Sequence, residues 1–284
     1  MCLNFKGISK APIQAFKPEN IRGLNADHDY LKETHEEIFL REHKLATITD
    51  SEISSIELCT RGQSHNQRWV EELVKRVQSS NFYRVCVATE KTDLNKLAMS
   101  MVQGSMFKPN DAIKHGQKFE KEAIHAYEEK CNVKVGSCGI FVSKKYPFLG
   151  ASPNGVVSDE LICEVKCPYR AKNKYISPVT VPYVKMVDVK MALSKTHQYY
   201  YQVQGQLLCT EASFCDFIIY TITDFQCIRV KRENEFISSM LEKLDFIMLI
   251  SKKQCLTSAF SRMWHEQVFN VQLKGQLFGR LNNH

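Results

Sequence analysis

The sequence lacks a long apolar run, paired cysteines and a phosphate-binding glycine loop, and each absence excludes a class of protein. No apolar stretch approaches the roughly 18 residues that a membrane-spanning helix needs, and the first residues contain no apolar signal-peptide core. The 11 cysteines are odd in number and form no Cys-x-x-Cys pair, so neither a disulfide framework nor a structural zinc site is predicted. Nucleotide hydrolysis of the P-loop type is not expected either. We therefore expect an intracellular protein, nuclear or cytoplasmic, that is not secreted and does not bind a membrane.

The positive charge of the chain is concentrated in one segment. The 38 lysines and arginines exceed the 31 acids and give a formal charge of +7. Residues 166–195 contain seven basic residues and a single acid, Asp188, so this short segment carries nearly the whole excess. A focused basic segment indicates a polyanionic partner, with nucleic acid the first candidate. The alternative is a solvated, lysine-rich loop.

The order of periodic segments predicts an α/β (α+β) fold with a mixed central sheet flanked by helices. Helices are expected over about 66–77, 92–101, 110–130, 196–209 and 235–251, with short helices within 27–60. Strands are expected at 139–142, 148–151, 156–157, 161–167, 214–222 and 227–231. A proline-containing loop is expected after the strand at 161–167.

Two of these segments place charged side chains among apolar ones. Glu120 falls on the apolar stripe of its predicted helix, where a buried carboxylate is costly unless it is compensated. In the strand over 161–167, Glu164 and Lys166 share one face, while small apolar residues form the other. Either these residues form a functional site, or Glu120 reaches solvent or a lysine and the strand carries an ordinary salt bridge on a solvent-facing side.

The turn at 152–155, Ser-Pro-Asn-Gly, is predicted to redirect the side chain of Asn154. If the helix packs on the following hairpin, Glu120, Asn154, Glu164 and Lys166 converge. Oxygen ligands suit a hard divalent cation such as Mg²⁺ (or Mn²⁺). A neighbouring lysine can orient or deprotonate a water and can stabilise charge on a phosphate. This combination is typical of metal-assisted phosphodiester hydrolysis.

The motifs, taken in order, resemble those of the PD-(D/E)XK nucleases, and in detail the YqaJ viral recombinase group, which is related to phage lambda exonuclease. Gly116 and Glu120 match a Gly-x-x-x-Glu helix, 152–155 match an SPDG turn with one change, and 164–168 match a Glu-x-Lys-Cys-Pro strand. Residues 199–204 match a Tyr- and Gln-rich helix, and 69–80 match an earlier Trp, Arg and Ser stretch. The resemblance covers roughly 65–250 and implies a restriction-endonuclease-like core.

The resemblance also implies catalytic roles. Glu164, Asn154 and the carbonyl of Val165 would bind a Mg²⁺ or Mn²⁺ ion. Glu120 would bind a second ion or hold its water. Lys166 would position the attacking water, so that the site hydrolyses phosphodiester bonds.

Further residues are implied in contacts with DNA. Gln202 would brace the catalytic site or contact DNA, with Gln204 as the alternative. Arg76 and Ser80 would bind a terminal phosphate at a duplex end. The phosphate backbone would be held by residues of the basic segment, namely Arg170, Lys172 and Lys174.

One departure from the family pattern leaves two functions open. Asn154 stands where the family usually has Asp, and an amide contributes no negative charge to a metal site. The chain is therefore predicted to be a metal-dependent DNA exonuclease acting in recombination or repair, or a catalytically impaired nuclease fold that only binds nucleic acid. A scaffold protein without a nucleic-acid role is a third option. The expected organisation is an arm and helical extension over 1–60, a nuclease domain over 61–256 and a tail over 257–284, in a possible homo-oligomer.

Overall fold

A computed structural model describes residues 48–102 and 110–255 of the chain. The tail over 257–284 and most of the extension over 1–60 therefore lie outside the described residues. Within the ranges that are described, no helix is long and apolar enough to cross a membrane.

Along the described chain, five α-helices and one short strand are followed by six strands, an α-helix, two strands and a final α-helix. The helices are α1 (Asp50–Cys59), α2 (Gln67–Val74), α3 (Phe82–Cys86), α4 (Leu94–Val102), α5 (Asp111–Cys131), α6 (Gln198–Thr210) and α7 (Asn234–Cys255). The strands are β1 (Val77–Gln78), β2 (Phe141–Val142), β3 (Leu149–Ala151), β4 (Gly155–Ser158), β5 (Leu161–Lys166), β6 (Val184–Val187), β7 (Lys190–Leu193), β8 (Phe214–Tyr220) and β9 (Phe225–Lys231).

The central sheet is mixed, as the sequence predicts. Its strand order is β4-β5-β8-β9, with β5 parallel to β8 and the two outer pairs antiparallel. A smaller sheet has the order β1-β3-β2, and β6 and β7 form a separate hairpin. Strand β5 occupies an inner position, so its carboxyl end is surrounded by other elements.

Both faces of β5 are covered. Ile162 is 1% exposed and belongs to one apolar cluster, while Cys163 is fully buried in another on the opposite face. A near-continuous apolar strand of this kind is typical of a strand buried on both sides. The alternative of a salt bridge on a solvent-facing strand is therefore wrong, because Glu164 is only 3% exposed.

Helices α5 and α6 pack on opposite faces of the sheet. In α5, Ala123 and Tyr127 are fully buried in the cluster that contains Cys163, whereas Val203 and Leu207 of α6 are buried in the cluster of Ile162. The start of α5 is fixed by Asn110, whose side chain accepts a hydrogen bond from the backbone N–H of Ile113. The polar residues of both helices meet at the carboxyl end of β5.

The predicted elements differ from the observed ones mainly where strands are short. The helix expected over 66–77 ends at Val74, because Val77 and Gln78 pair with β3 instead. The proline-containing segment is not all loop, since it contains the β6–β7 hairpin. Helix α3 was not expected; its Phe82 is fully buried against Gly205 of α6, where an added Cβ would lie 2.6 Å from the Phe82 ring.

Candidate active site

Glu164 is the centre of a buried polar cluster. Its Oε1 accepts hydrogen bonds from Lys166 Nζ and from Gln202 Nε2, each at 2.7 Å. Its Oε2 accepts from Gln206 Nε2 at 2.6 Å. A buried carboxylate requires such donors, and here one strand and one helix supply them. Glu164 is therefore oriented before any ligand binds.

Lys166 lies at the open edge of this cluster. Its ammonium also donates to Gln202 Oε1 at 3.2 Å and lies 4.4 Å from the centre of the Tyr199 ring. Burial lowers the pKa of Lys166, but the charges of Glu164 and Glu120 together with the hydrogen bond to Glu164 raise it above the usual value overall. The raised pKa favours the ammonium form, which can orient water and attract phosphate oxygens.

Asn154 connects the two sides of the site. Its Oδ1 accepts a 2.8 Å hydrogen bond from the backbone N–H of Val165. This bond fixes the amide orientation and leaves the amide nitrogen as the end that can donate to the neighbouring Glu120 carboxylate. Burial raises the pKa of Glu120; Asn154 and Lys166 lower it and Glu164 raises it, and the net shift is upward. The predicted convergence of these four side chains is thus present.

The donors at this site fit a hard cation only in part. The described residues contain no group of three or more His, Cys, Asp or Glu side chains placed to hold a metal ion. The two carboxylates, Glu120 and Glu164, and the carbonyl of Val165 are oxygen donors of the kind that Mg²⁺ prefers. Asn154 is a neutral amide whose Oδ1 already accepts a hydrogen bond from the Val165 N–H, so it adds no charge to this donor set.

Two cavities flank the cluster. The smaller, of about 440 Å³, is lined by Glu120, Val165 and Lys166. The larger, of about 900 Å³, is lined by Gln202, Ser80 and Arg84, among others. Lys166 and Gln202 hydrogen-bond each other, so the polar cluster forms the boundary between the two spaces.

Of the pair predicted to bind a terminal phosphate, only Ser80 lines the larger cavity. Arg76 forms an ion pair with Glu72, which is 2% exposed and which also pairs with Arg68 and Lys75. The Arg76 side chain keeps only 10% of its surface exposed. Its placement therefore favours a structural role rather than contact with a phosphate.

Arg84 is a cation beside Ser80 that the sequence motifs do not indicate. It lies in α3, four residues after Ser80, and its guanidinium donates to Ser100 Oγ at 2.8 Å and to Asn81 Oδ1 at 3.2 Å. These partners are neutral, and no carboxylate pairs with Arg84 among the described residues, whereas Arg76 pairs with Glu72. The spacing from Ser80 is the only signal that could have identified Arg84.

Gln206 shares a helical face with Gln202, as the sequence predicts, but the sequence did not assign it to the site. It is fully buried and donates to Glu164, and its Oε1 has no hydrogen-bond partner among the described residues. The four-residue spacing of Gln202 and Gln206 on α6 was the available signal.

The alternative choice, Gln204, is corrected by the structure. Its side chain is fully buried, donates to the carbonyl of Lys231 at 2.8 Å and accepts from the backbone N–H of Glu233 at 2.9 Å. Gln204 thus joins α6 to the end of β9 and does not reach nucleic acid.

Replacing Gln204 by Ala is expected to lower stability without altering the site. Both backbone partners lose their hydrogen bonds, and each unsatisfied buried group costs about 1–3 kcal/mol. Thermal unfolding should show a clear drop in Tm, whereas Gln198→Ala, an exposed glutamine of the same helix, should leave the Tm nearly unchanged. A Tm of Gln204→Ala equal to that of the parent would contradict this role.

The basic residues predicted to hold the phosphate backbone follow β5 directly. Arg170 and Lys174 are exposed, and the ammonium of Lys172, which is half-buried, lies 4.7 Å from the centre of the Tyr169 ring. Tyr169 lines the same cavity as Glu120 and Lys166. Lys172 therefore lies beside the candidate site, and Arg170 and Lys174 are its exposed neighbours along the chain.

Comparison with known proteins identifies relatives of this chain. The family model of the YqaJ-like viral recombinase domain matches residues 44–213. An uncharacterised protein of Acanthamoeba polyphaga mimivirus, R354, is 23% identical over 238 residues, which is 78% of this chain and 39% of that protein. The chain thus spans about two fifths of the length of the curated relative that it matches.

Solved structures share the fold. The LHK-Exo structure in complex with dAMP is 21% identical and has a TM-score of 0.51, covering 75% of this chain and all of that one. A second structure of LHK-Exo, an alkaline exonuclease from Laribacter hongkongensis, has a TM-score of 0.50 at the same identity and coverage. The predicted restriction-endonuclease-like core is thereby confirmed.

Proposed function

Because this chain belongs to the family of YqaJ-like viral recombinase domains, we propose that it is a divalent-metal-dependent DNA nuclease that hydrolyses phosphodiester bonds at duplex ends. The observation that carries the proposal is the buried hydrogen-bonded set of Glu164, Lys166 and Gln202 at the end of β5. A fixed carboxylate beside an ammonium, facing a cavity, is equipment for hydrolysis of an anionic ester.

Glu164, Glu120 and the carbonyl of Val165 would hold the cation, either Mg²⁺ or Mn²⁺. A bound cation supplies Lewis acidity at the phosphate and lowers the pKa of a bound water. Gln202 and Gln206 fix the orientation of the Glu164 carboxylate, so little reorganisation is needed when substrate arrives.

Lys166 would donate hydrogen bonds to the attacking water and the phosphate rather than accept a proton. Its ammonium is held by Glu164 and Gln202, and it can donate to the attacking water and to a non-bridging phosphate oxygen. Negative charge that develops on the phosphate is then stabilised by a fixed cation.

Cations on the two sides of the site would hold the DNA. Arg170, Lys172 and Lys174 would contact backbone phosphates beside the smaller cavity. Ser80 and Arg84 would contact a terminal phosphate in the larger cavity, which replaces the predicted pairing of Ser80 with Arg76. Contacts of this kind give affinity without base readout.

A second function is favoured by a specific observation, the amide of Asn154 directed at Glu120. In the chain as it is encoded, the amide contributes no charge and offers a donor to the carboxylate. The alternative is therefore a nuclease fold that binds nucleic acid and cleaves it weakly or not at all.

The test is a cleavage assay on 5′-labelled linear duplex DNA with Mg²⁺, with Mn²⁺ and with chelator, alongside equilibrium binding to the same DNA without metal. Metal-dependent shortening of the duplex supports the nuclease. Binding without shortening under every metal condition supports the alternative, and absence of both contradicts the two proposals together.

Binding is expected to weaken steeply with salt, because each neutralised phosphate releases a counterion. Arg170→Ala combined with Lys174→Ala should reduce the slope of log affinity against log salt by about two. The matched control is Lys144→Ala, which removes an exposed lysine that is paired with Asp50 elsewhere. An unchanged slope in the double variant would remove these residues from the interface.

A further inference from the structure

Asn154 is followed by Gly155, and this is the only Asn-Gly pair in the sequence. The glycine is required by packing, because an added Cβ would lie 2.2 Å from Val135 Cγ1 and 3.2 Å from the carbonyl oxygen of Gly136. Without a side chain at position 155, nothing on that residue shields its backbone nitrogen from the neighbouring Asn154 amide. Attack of such a nitrogen on the amide carbon is the slow reaction by which asparagine loses ammonia.

The surroundings of Asn154 favour this reaction. The backbone N–H of Val165 donates to Oδ1 at 2.8 Å. When a nucleophile adds to Cγ, negative charge develops on Oδ1, and a donor already in place stabilises it. Asn154 is half-buried, and its partner Val165 lines the cavity of about 440 Å³ together with Glu120 and Lys166.

We propose that Asn154 is a self-modification site, at which intramolecular deamidation replaces the amide by a carboxylate and completes the set of acidic oxygens around Glu120 and Glu164. The modification itself rests on the Asn-Gly sequence and the Val165 hydrogen bond, whereas its consequence for the metal rests on the proposed function. The encoded chain would thus be an immature form of the nuclease.

The chemistry requires water alone. The backbone nitrogen of Gly155 forms a bond to Cγ of Asn154 and gives up its proton, the Cγ–Nδ2 bond breaks, and ammonia leaves with that proton. The product is a five-membered succinimide. A water then adds to one of its two carbonyl carbons, the bond from that carbon to nitrogen breaks, and a proton returns to the nitrogen. No group is oxidised or reduced.

The structure also selects the product. Addition of water at Cγ restores the normal backbone with an aspartate side chain, whereas addition at the backbone carbonyl carbon gives isoaspartate. When water adds at Cγ, negative charge develops on Oδ1, and the Val165 N–H that lies at this oxygen stabilises it. The folded protein should therefore give mainly aspartate, while an unfolded chain, which lacks this donor, should give mainly isoaspartate.

The experiment is peptide mapping by mass spectrometry of the full chain during incubation at mildly alkaline pH, with one sample folded and one in denaturant. The expected result in the folded sample is progressive replacement of the Asn154 amide by a carboxylate, with aspartate as the major isomer. Asn132 and Asn173 are internal controls, because both are exposed but precede Val133 and Lys174. They should keep their amides over the same period.

Metal binding gives an independent readout on the same samples. The stabilisation by Mg²⁺ in thermal unfolding should increase with the fraction converted. Asn154→Gln should show neither the mass change at this position nor the gain, because attack on its longer side chain would have to form a less favourable six-membered ring.

The outcomes separate this inference from the proposed nuclease function. If the Asn154 amide persists in the folded protein while the denatured chain converts, or if isoaspartate predominates in the folded protein, self-modification is overturned. If Asn154→Asp neither binds Mg²⁺ nor cleaves DNA, the proposed function fails, whatever the mass of the parent. Conversion to aspartate with a parallel gain in Mg²⁺ stabilisation supports both.

Discussion

Replacing Lys166 by Ala is expected to reduce cleavage of linear duplex DNA at least about a hundredfold, the scale on which one fixed charge-stabilising donor contributes to catalysis. The ammonium donates to Glu164 and Gln202 and lies at the edge of the cavity that also contains Glu120. Its removal leaves the phosphate without its nearest fixed cation. The loss should appear in kcat more than in DNA affinity, because the basic residues that follow β5 remain.

Two variants keep this prediction falsifiable. Lys166→Met retains the length and the apolar part of the side chain, so it protects the packing beside Tyr199 if Lys166→Ala is destabilised. Lys144→Ala removes a lysine that is 57% exposed and that pairs with Asp50 rather than with any residue of the cluster. This variant should cleave like the parent. Cleavage by folded Lys166→Ala at the parent rate would exclude the candidate active site.

The parts of the site that could be predicted from the sequence lie in segments with a periodic pattern of apolar residues. The helix that carries Glu120 and the strand that carries Glu164 and Lys166 have clear patterns of period 3.6 and period 2. Each pattern is broken by a charge, and a charge on an otherwise buried face indicates a site. These are also the residues that the structure brings together.

The parts that could not be predicted depend on contacts between distant segments. The pattern of α6 shows that Gln202 and Gln206 share a face, but it cannot show that Gln204 is used by the end of β9. Arg76 and Arg84 look alike as cations in the sequence. Only the structure shows that the first pairs with Glu72 and the second lines a cavity. The β6–β7 hairpin was missed because its strands have four residues each and mix lysine with methionine.

Among single substitutions, Asn154→Asp is expected to give the largest gain in Mg²⁺ affinity and DNA cleavage. In Asn154→Asp, one carboxylate oxygen can accept the hydrogen bond from the Val165 N–H, as Oδ1 does now. The second oxygen then faces Glu120, where the amide nitrogen is placed in the parent. A donor is thereby replaced by a charged oxygen ligand beside the Glu120 and Glu164 carboxylates.

Asn154→Asp should lower the stability of the protein without a divalent ion and raise it with Mg²⁺. Without a divalent ion, the added carboxylate repels Glu120 and raises its pKa further, so the Tm should fall below that of the parent. With Mg²⁺, the affinity should rise by at least about tenfold, the lower end of what even outer residues of a metal site contribute. The stability should then exceed that of the parent, and DNA cleavage should increase.

Thermal unfolding of Asn154→Asp over a series of Mg²⁺ concentrations distinguishes a change in metal binding from a change in packing. The Tm curves of variant and parent should cross as Mg²⁺ increases, because only binding linkage adds stability in proportion to the logarithm of ligand concentration. The same chemical change at the exposed Asn132 should give no crossing, since no carboxylate lies opposite it in the site. Parallel Tm curves for Asn154→Asp and the parent would mean that position 154 does not contact the metal, and the amide would then be a structural link between Val165 and Glu120.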